Sequence, residues 1–158
     1  MTGPRSPWKT RYFLDTEFTS FESCELISLA IVGEDGREFY AEVSDFERAL
    51  CSDFVRQTVL PQLGNPPGRA MPARQVRQEL LAWLAEVPLK PTPVLCFDYE
   101  GDLRLVEHLP GYRLPKGWKT ENVYRRINDL EKERFFMESG LSDHHALHDA
   151  RANAYAFT

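Results

Sequence analysis

The sequence predicts an α/β fold in which a central mixed sheet is flanked by helices. Three observations carry this. Three strand-like runs follow one another near the start with short links between them, which is the pattern of an antiparallel meander. A further apolar run, "PTPVLCFD", stands alone between helical stretches, so the sheet gains a strand in parallel after the meander. The 158 residues, 42% of them hydrophobic, suffice for one core and are too few for two ordinary domains. Residues 1–10 are expected to be a flexible N-terminal tail, and residues 11–158 a single domain.

The elements follow in order. "RYFLDTEF" is a strand whose aromatic and apolar residues lead into a pair of carboxylates. "ELISLAIVG" is nearly continuous in apolar residues and reads as a buried strand. "EDG" at Glu34 to Gly36 is a hairpin turn signal, and "REFYAEVS" is the third strand. A helix starts near Asp53 with Ser52 as its N-cap, and Pro61 limits its end. "GNPPGRAMP" reads as a Pro/Gly-rich loop. In "ARQVRQELLAWLAEV" the apolar residues Val76, Leu80, Leu81, Trp83, Leu84 and Val87 form one helical face. After the strand "PTPVLCFD", "GDLRLVEHL" is a short helix, and Pro110 to Thr120 reads as loop. "NDLEKERFFMESG" is a helix ended by Gly140. The Ala-rich "DHHALHDARANAYAF" is the closing helix. If the first and fourth strands are neighbours, the carboxylates at their ends lie side by side.

Composition excludes several classes. A charged fraction of 27% belongs to a globular protein, and no apolar run is long enough to span a membrane. The opening "MTGPRSPWKTR" has no apolar stretch of the kind a signal peptide needs. Cys24, Cys51 and Cys96 are odd in number and far apart, which fits a reducing cytoplasm better than a disulfide framework or a zinc cluster. The formal net charge of -5 argues against a generally basic coat for nucleic acid, though not against a local basic groove. Arg113, Lys116, Lys119, Arg125, Arg126, Lys132 and Arg134 form the one basic stretch, mixed with Glu121, Asp129, Glu131 and Glu133; a solvated charged surface is the competing reading.

Three clusters carry chemistry. Asp15 and Glu17 are two apart, so in a strand they share a face. Two carboxylates on one face of a buried strand repel each other and resist desolvation, and a divalent cation is the usual compensation. An exposed edge strand with solvated acids is the alternative, which the apolar flank makes less attractive. Asp98, Glu100 and Asp102 form a second cluster, in which Asp102 alone would by default cap the following helix. The third cluster is "DHHALHDAR". His144 and His148 are four apart, as are His145 and Asp149, and a zinc pair on one helix face is conceivable. No cysteine or HExxH pattern supports zinc, whereas oxygen ligands from Asp15, Glu17, Asp102 and Asp149 suit magnesium or manganese.

Taken together, "FLDTEF", "FDYEGDLRLV" and "HHALHDA" resemble the three motifs of the DEDDh 3'-5' exonuclease superfamily, which includes proofreading subunits, RNase T and oligoribonuclease. The first motif, Asp-x-Glu, is met by Asp15, Thr16 and Glu17. The third, His-x-Ala-x-x-Asp-Ala, is met by His144, Ala146, Asp149 and Ala150. The second is commonly Asn-x-x-x-Asp; here Asp98 stands in the Asn place and Asp102 in the Asp place, a departure that keeps Asp98 as a competing candidate. The opening third of the chain looks closest to a compact bacterial and phage group of 3'-5' exoribonucleases.

The resemblance implies an RNase H-like fold and hydrolysis from the 3' end of single-stranded RNA or DNA, RNA favoured, releasing nucleoside 5'-monophosphates. It implies two Mg2+ or Mn2+ ions held by Asp15, Glu17, Asp102 and Asp149, with His144 as general base, a role suited to a residue that titrates near neutrality. Thr16 and Phe18 would lie against substrate, Phe18 by stacking on the terminal base; a core phenylalanine is the plainer alternative. His145 and His148 are expected on the helix surface or toward substrate. A homodimer is expected by resemblance. Two other functions compete: a nucleic-acid-binding module without catalysis, and a phosphoesterase acting on small nucleotides.

Overall fold

The meander forms as its hydrophobic pattern requires: β1 (Lys9–Phe18), β2 (Leu26–Gly33) and β3 (Glu38–Val43) pair antiparallel in sequence order. The β2–β3 turn is the expected hairpin. Gly33 N–H donates to Arg37 O at 2.8 Å, and Gly36 takes φ +90°, a conformation open to glycine but costly for a residue with a Cβ. The computed structural model describes residues 6–109 and 114–158. Residues 1–5 of the expected tail, part of the expected 110–120 loop and Arg113 of the basic stretch fall outside these residues. β1 begins at Lys9, two residues before the domain start expected from sequence.

Three more strands complete the sheet: β4 (Ala70–Met71), β5 (Thr92–Phe97) and β6 (Lys119–Asn122), in the order β4–β3–β2–β1–β5–β6. β5 runs parallel beside β1, with Phe13 opposite Cys96, so the ends of the first and fourth predicted strands are neighbours. β4 and β6 depart from the expected loops. β4 is two residues long and lies within the Pro/Gly-rich segment, and β6 is "KTEN", an edge strand with no buried residue. Neither has the apolar alternation by which a strand is recognised; each is held by parallel pairing to a strand already in place.

Helices cover both faces. α1 (Asp53–Thr58) is capped by Ser52, whose hydroxyl accepts from Val55 N–H; the chain then tightens into a 3-10 turn, Leu60–Gln62, that contains Pro61. α2 (Ala73–Glu86) buries Val76, Leu80 and Leu84, and α3 (Glu100–His108) buries Val106; these pack with Tyr12, Leu14, Leu29 and Ile31 on one face of the sheet. On the other face α5 (Ala146–Ala156) sets Ala146, Leu147 and Ala150 against Ala30, Val32 and Tyr40. The alanines bring this helix close to the sheet, because packing distance follows side-chain size. α4 (Asp129–Ser139) lies outside α5 with Phe135 against Tyr155, capped by Asn128 and ended by Gly140 at φ +70°. α5 starts later than expected: His145 is its N-cap, so Asp143 and His144 precede the helix. Together these elements form a mixed sheet between helical layers, the predicted class.

Leu80 has no exposure while Leu130 is 76% exposed. Leu80→Ala is expected to lower the unfolding free energy by about 2–5 kcal/mol, and Leu130→Ala by no more than about 0.5 kcal/mol. Urea denaturation of both variants checks the ranking, and equal costs would contradict the packing described.

Candidate active site

β1 ends in "DTEF", and strand alternation divides those residues between the two faces. Asp15 and Glu17 continue the Phe13 side, toward α5, whereas Thr16 continues the Tyr12 and Leu14 side, toward α3. α5 brings Asp149 to the first pair. One carboxylate oxygen from each of Asp15, Glu17 and Asp149 lies within 4.8 Å of the others. Asp98 leaves the end of β5, and Asp102 sits in the first turn of α3. With Asp15 they form a second triad within the same 4.8 Å limit. Asp15 belongs to both.

Asp102 does not cap its helix, as its default reading would have it. Tyr99 occupies the N-cap, and Asp102 is 3% exposed with its Oδ1 accepting a 2.6 Å hydrogen bond from the Thr16 hydroxyl. Thr16 thus fixes the Asp102 carboxylate, and its hydroxyl faces that residue. Asp98 is half-exposed. The structure therefore brings Asp98 and Asp102 to the same triad rather than choosing between them.

The electrostatics are those of a cluster of buried acids. Burial, followed by the charges of Asp149, Asp102 and Glu17, holds the Asp15 carboxyl well above its usual range. Burial and then Asp149 push Glu17 up to about 9. Asp102 is raised mainly by burial, and the Thr16 hydrogen bond opposes the rise. Asp149 is raised by burial too, and the positive charge of Lys132 opposes that most strongly. A set of hard oxygen donors whose ionisation is opposed by burial and mutual repulsion fits divalent cations, which would offset the repulsion.

The three clustered histidines separate. His144 lies before α5 at φ +59°, with its backbone N–H donating to Asp149 Oδ2 at 3.1 Å. Its ring meets the edge of Phe54 at 4.9 Å between centroids, and its Nε2 is 3.4 Å from Asp143 Oδ2. With Asp149, Lys132 and Phe136 it lines an open cavity of about 380 Å³. The expectation of surface positions for His145 and His148 is corrected. They are 2% and 8% exposed, stacked on each other at 4.1 Å, with Tyr40 against His145 at 5.0 Å. His148 points inward because it follows the Ala-rich buried face of α5. His145 is drawn in by Asn65 O, 2.5 Å from its Nε2. No shared helix face carries His144 and His148, so the zinc pair has no geometric basis.

Phe18 is half-buried and belongs to an aromatic trio with Phe21 and Tyr99, its ring stacked toward Tyr99 at 6.1 Å and edge-on to Phe21 at 5.2 Å. Phe21 is 79% exposed. A cavity of about 450 Å³ runs from Phe18, Phe21 and Glu17 to Phe54 on α1. The basic stretch splits up: Arg126 is 3.4 Å from Glu121, Arg134 is 3.2 Å from Glu131, and Lys132 faces the site. Phe21, Phe54, Tyr99 and Lys132 escaped the sequence reading as individuals, because each reaches the site through tertiary packing and none has a diagnostic spacing to the acids.

Comparison with known proteins gives consistent results. Residues 10–158 match the family described as the 3'-5' exoribonuclease Rv2179c-like domain. Two curated relatives from Mycobacterium tuberculosis, 3'-5' exoribonuclease Rv2179c and 3'-5' exoribonuclease MT2234.1, are each 42% identical over 76 residues, which cover 47% of this chain and 45% of theirs. The matched stretch thus spans less than half the length of those relatives. Among solved structures, cell-death related nuclease 4 superposes with a TM-score of 0.58 at 19% identity, covering 94% of this chain and 62% of that one. A full-length 3'-exonuclease gives 0.59 at 18%, covering 94% and 80%. E. coli exonuclease I in complex with a 5cy-dA13 oligonucleotide gives 0.59 at 13%, covering 92% and 39%. At these identities the structures speak for the fold, which is the RNase H-like fold of such exonucleases.

The raised carboxyls have a consequence for stability. A carboxyl whose folded pKa exceeds its unfolded value holds extra protons in the native state, so its contribution is full below the unfolded pKa and is lost as pH rises through the folded one. The window here opens near the ordinary carboxylate range and extends to about 9, the value for Glu17. In EDTA-treated protein, Tm should fall from about pH 5 to pH 9, and Asp15→Asn should flatten the fall. The variant should raise Tm at pH 8 by several degrees, at about 2–4 °C per kcal/mol. Added Mg2+ or Mn2+ should stabilise the native protein more at pH 8 than at pH 5. Identical pH profiles for the two proteins in calorimetry would contradict the cluster's electrostatics.

Proposed function

Since the chain belongs to the 3'-5' exoribonuclease Rv2179c-like domain family, we propose that it is a metal-dependent 3'-5' exonuclease. It removes nucleotides from the 3' end of single-stranded nucleic acid, favours RNA over DNA and releases nucleoside 5'-monophosphates. The observation that carries this reading is the membership of Asp15 in two carboxylate triads at the end of one strand. Residues 11–158 act as one catalytic domain. Free Cys24, Cys51 and Cys96 suit a cytoplasmic setting, and no helix among the described residues is long and apolar enough to cross a membrane. A homodimer goes with the same proposal.

In this reading Asp15, Glu17 and Asp149 hold one divalent cation, and Asp15 with Asp98 and Asp102 holds a second. When bound, the two ions supply Lewis-acid polarisation of the phosphodiester and positive charge where the 3'-oxygen departs. The chain's own groups do the rest. His144 takes the proton of the attacking water on its imidazole, and Asp143, 3.4 Å from Nε2, stabilises the imidazolium that results. Asp149 accepts from the His144 backbone N–H, so the base is tied to a ligand of the first ion. Thr16 orients the Asp102 carboxylate for the second. Phe18 carries the stacking contact to the terminal base, with Phe21 and Tyr99 extending its aromatic surface.

The test is end-labelled single-stranded RNA and DNA of equal length, incubated with Mg2+ or Mn2+ and followed on a ladder gel. A shortening ladder from the 3' end is expected, faster on RNA and abolished by EDTA. Asp15→Asn and Glu17→Gln should abolish it while leaving the fold intact. Asp102→Asn should cost orders of magnitude, and Asp98→Asn less because that carboxylate is the more exposed of the two. His144→Ala should lower turnover by about 10²–10⁴-fold with metal binding retained. Cleavage that survives EDTA, or full activity in Asp15→Asn, would overturn the reading. Binding without cleavage would favour a module that has lost catalysis, and hydrolysis confined to dinucleotides would favour a small-nucleotide phosphoesterase.

A further inference from the structure

His144 takes a backbone conformation that a residue with a Cβ rarely adopts, at φ +59°. Such a residue persists only where its surroundings impose it. The helix that follows restrains it from one side only, through Asp149 of α5, because α5 begins two residues later and its N-cap side chain makes no capping hydrogen bond. What surrounds His144 comes from a segment about eighty residues away. The Gln62 side-chain amide donates to Asp143 O at 2.8 Å and to His144 O at 3.3 Å, the two carbonyls that flank the turn. The same amide donates to Thr58 O at 3.0 Å, so it is anchored to the end of α1. Three residues on, Asn65 O meets His145 Nε2.

This clamp is itself fixed to the sheet. Glu42 on β3 is 3% exposed, and both its carboxylate oxygens accept from Gly64 N–H at 3.0 Å. The Tyr40 hydroxyl donates to the same carboxylate, and the Tyr40 ring stacks on His145. The chain of contacts therefore runs from β3 through Gly64 to Gln62 and on to the two carbonyls beside the imidazole. On the opposite side the His144 N–H is held by Asp149. α1 supplies a further restraint, the Phe54 ring edge-on to the imidazole.

We propose that Gln62 is a positioning residue for His144: by donating to the carbonyls on either side of the turn, its amide holds the left-handed backbone that aims the imidazole at the carboxylate cluster. The proposal rests on the reading of His144 as the base. Gln62 touches neither substrate nor the reacting atoms, so its effect passes through His144 alone. Misplacing a catalytic group by about 1 Å can cost about 100-fold in rate.

The test is a double-mutant cycle under single-turnover and steady-state conditions with Mn2+ and a short single-stranded RNA. Gln62→Ala should lower kcat by about 10- to 100-fold with KM changed by less than about 3-fold, and Mn2+ titration should give the wild-type isotherm. In the His144→Ala background the same substitution should cost less than about 2-fold, because the group it acts through is gone. Gln62→Met fills the side-chain volume without a donor, so it carries the same test where Gln62→Ala lowers Tm. Full activity in Gln62→Met overturns the proposal, as does an equal loss in the presence and absence of the His144 imidazole. Wild-type turnover in His144→Ala would sink the base reading instead, a separate outcome from additivity in the cycle.

Discussion

Everything at this site follows from one electrostatic constraint: five carboxylates gather where a buried strand ends, and they cannot all be charged there without cations. Asp15 feels it most, being surrounded by Asp149, Asp102, Glu17 and Asp98. The fold offers little direct compensation. Lys132 opposes the rise at Asp149 and the Thr16 hydroxyl opposes it at Asp102, whereas at Glu17 the neighbouring Asp149 adds to the rise. A protein selected for stability alone would place apolar residues at such a strand end, since buried like charges are costly. The cluster is intelligible as a cost accepted for the charge it can hold.

The architecture serves that gathering. Parallel pairing of β5 with β1 brings Asp98 beside Asp15. The helices reach the same point from opposite faces of the sheet: α3 delivers Asp102 from one side and α5 delivers Asp149 from the other. Small residues make the second approach close, with Ala30 opposite Asp15 in the β1–β2 ladder and Ala146 and Ala150 fully buried on α5. Both acids lie in first helical turns, where unpaired backbone N–H groups favour negative charge. The sites of Asp102 and Asp149 are thus matched to carboxylates by the backbone itself.

The legibility of these features in the sequence followed a physical division. Strands with strong apolar patterns, such as "LISLAIVG", and helices with caps, such as Ser52 and Gly140, declare themselves because local propensity and tertiary packing agree. β4 and β6 did not, because each is short, lacks apolar alternation and is held in the sheet by pairing to a neighbour. The acids Asp15, Glu17, Asp102 and Asp149 were readable as types and spacings. Their convergence was expected from the resemblance, and otherwise only on condition that the first and fourth strands pair. Asp98 stayed open in the sequence for the same reason, and the geometry gives it a place beside Asp102 instead of against it. Gln62 and Phe54 had no local signature at all, and Lys132 was one of seven basic residues with nothing to single it out.

The histidine cluster shows why residue type and spacing underdetermine a role. His144, His145 and His148 lie within five positions, yet His144 stands at the rim of the acid cluster while His145 and His148 are buried against each other. The difference arises at the helix start. A helix beginning at Asp143 would have set His144 and His148 four apart on one face. Beginning instead at Ala146, it leaves His144 in a left-handed turn at the rim of the acid cluster, while His148 enters the buried face and His145 turns toward Asn65. The residues before that start are held from outside the helix by Gln62 and Asn65, and from within it by Asp149. The chemistry open to His144, accessible and beside a carboxylate cluster, is in this sense a property of the 58–65 segment as much as of the motif that contains it.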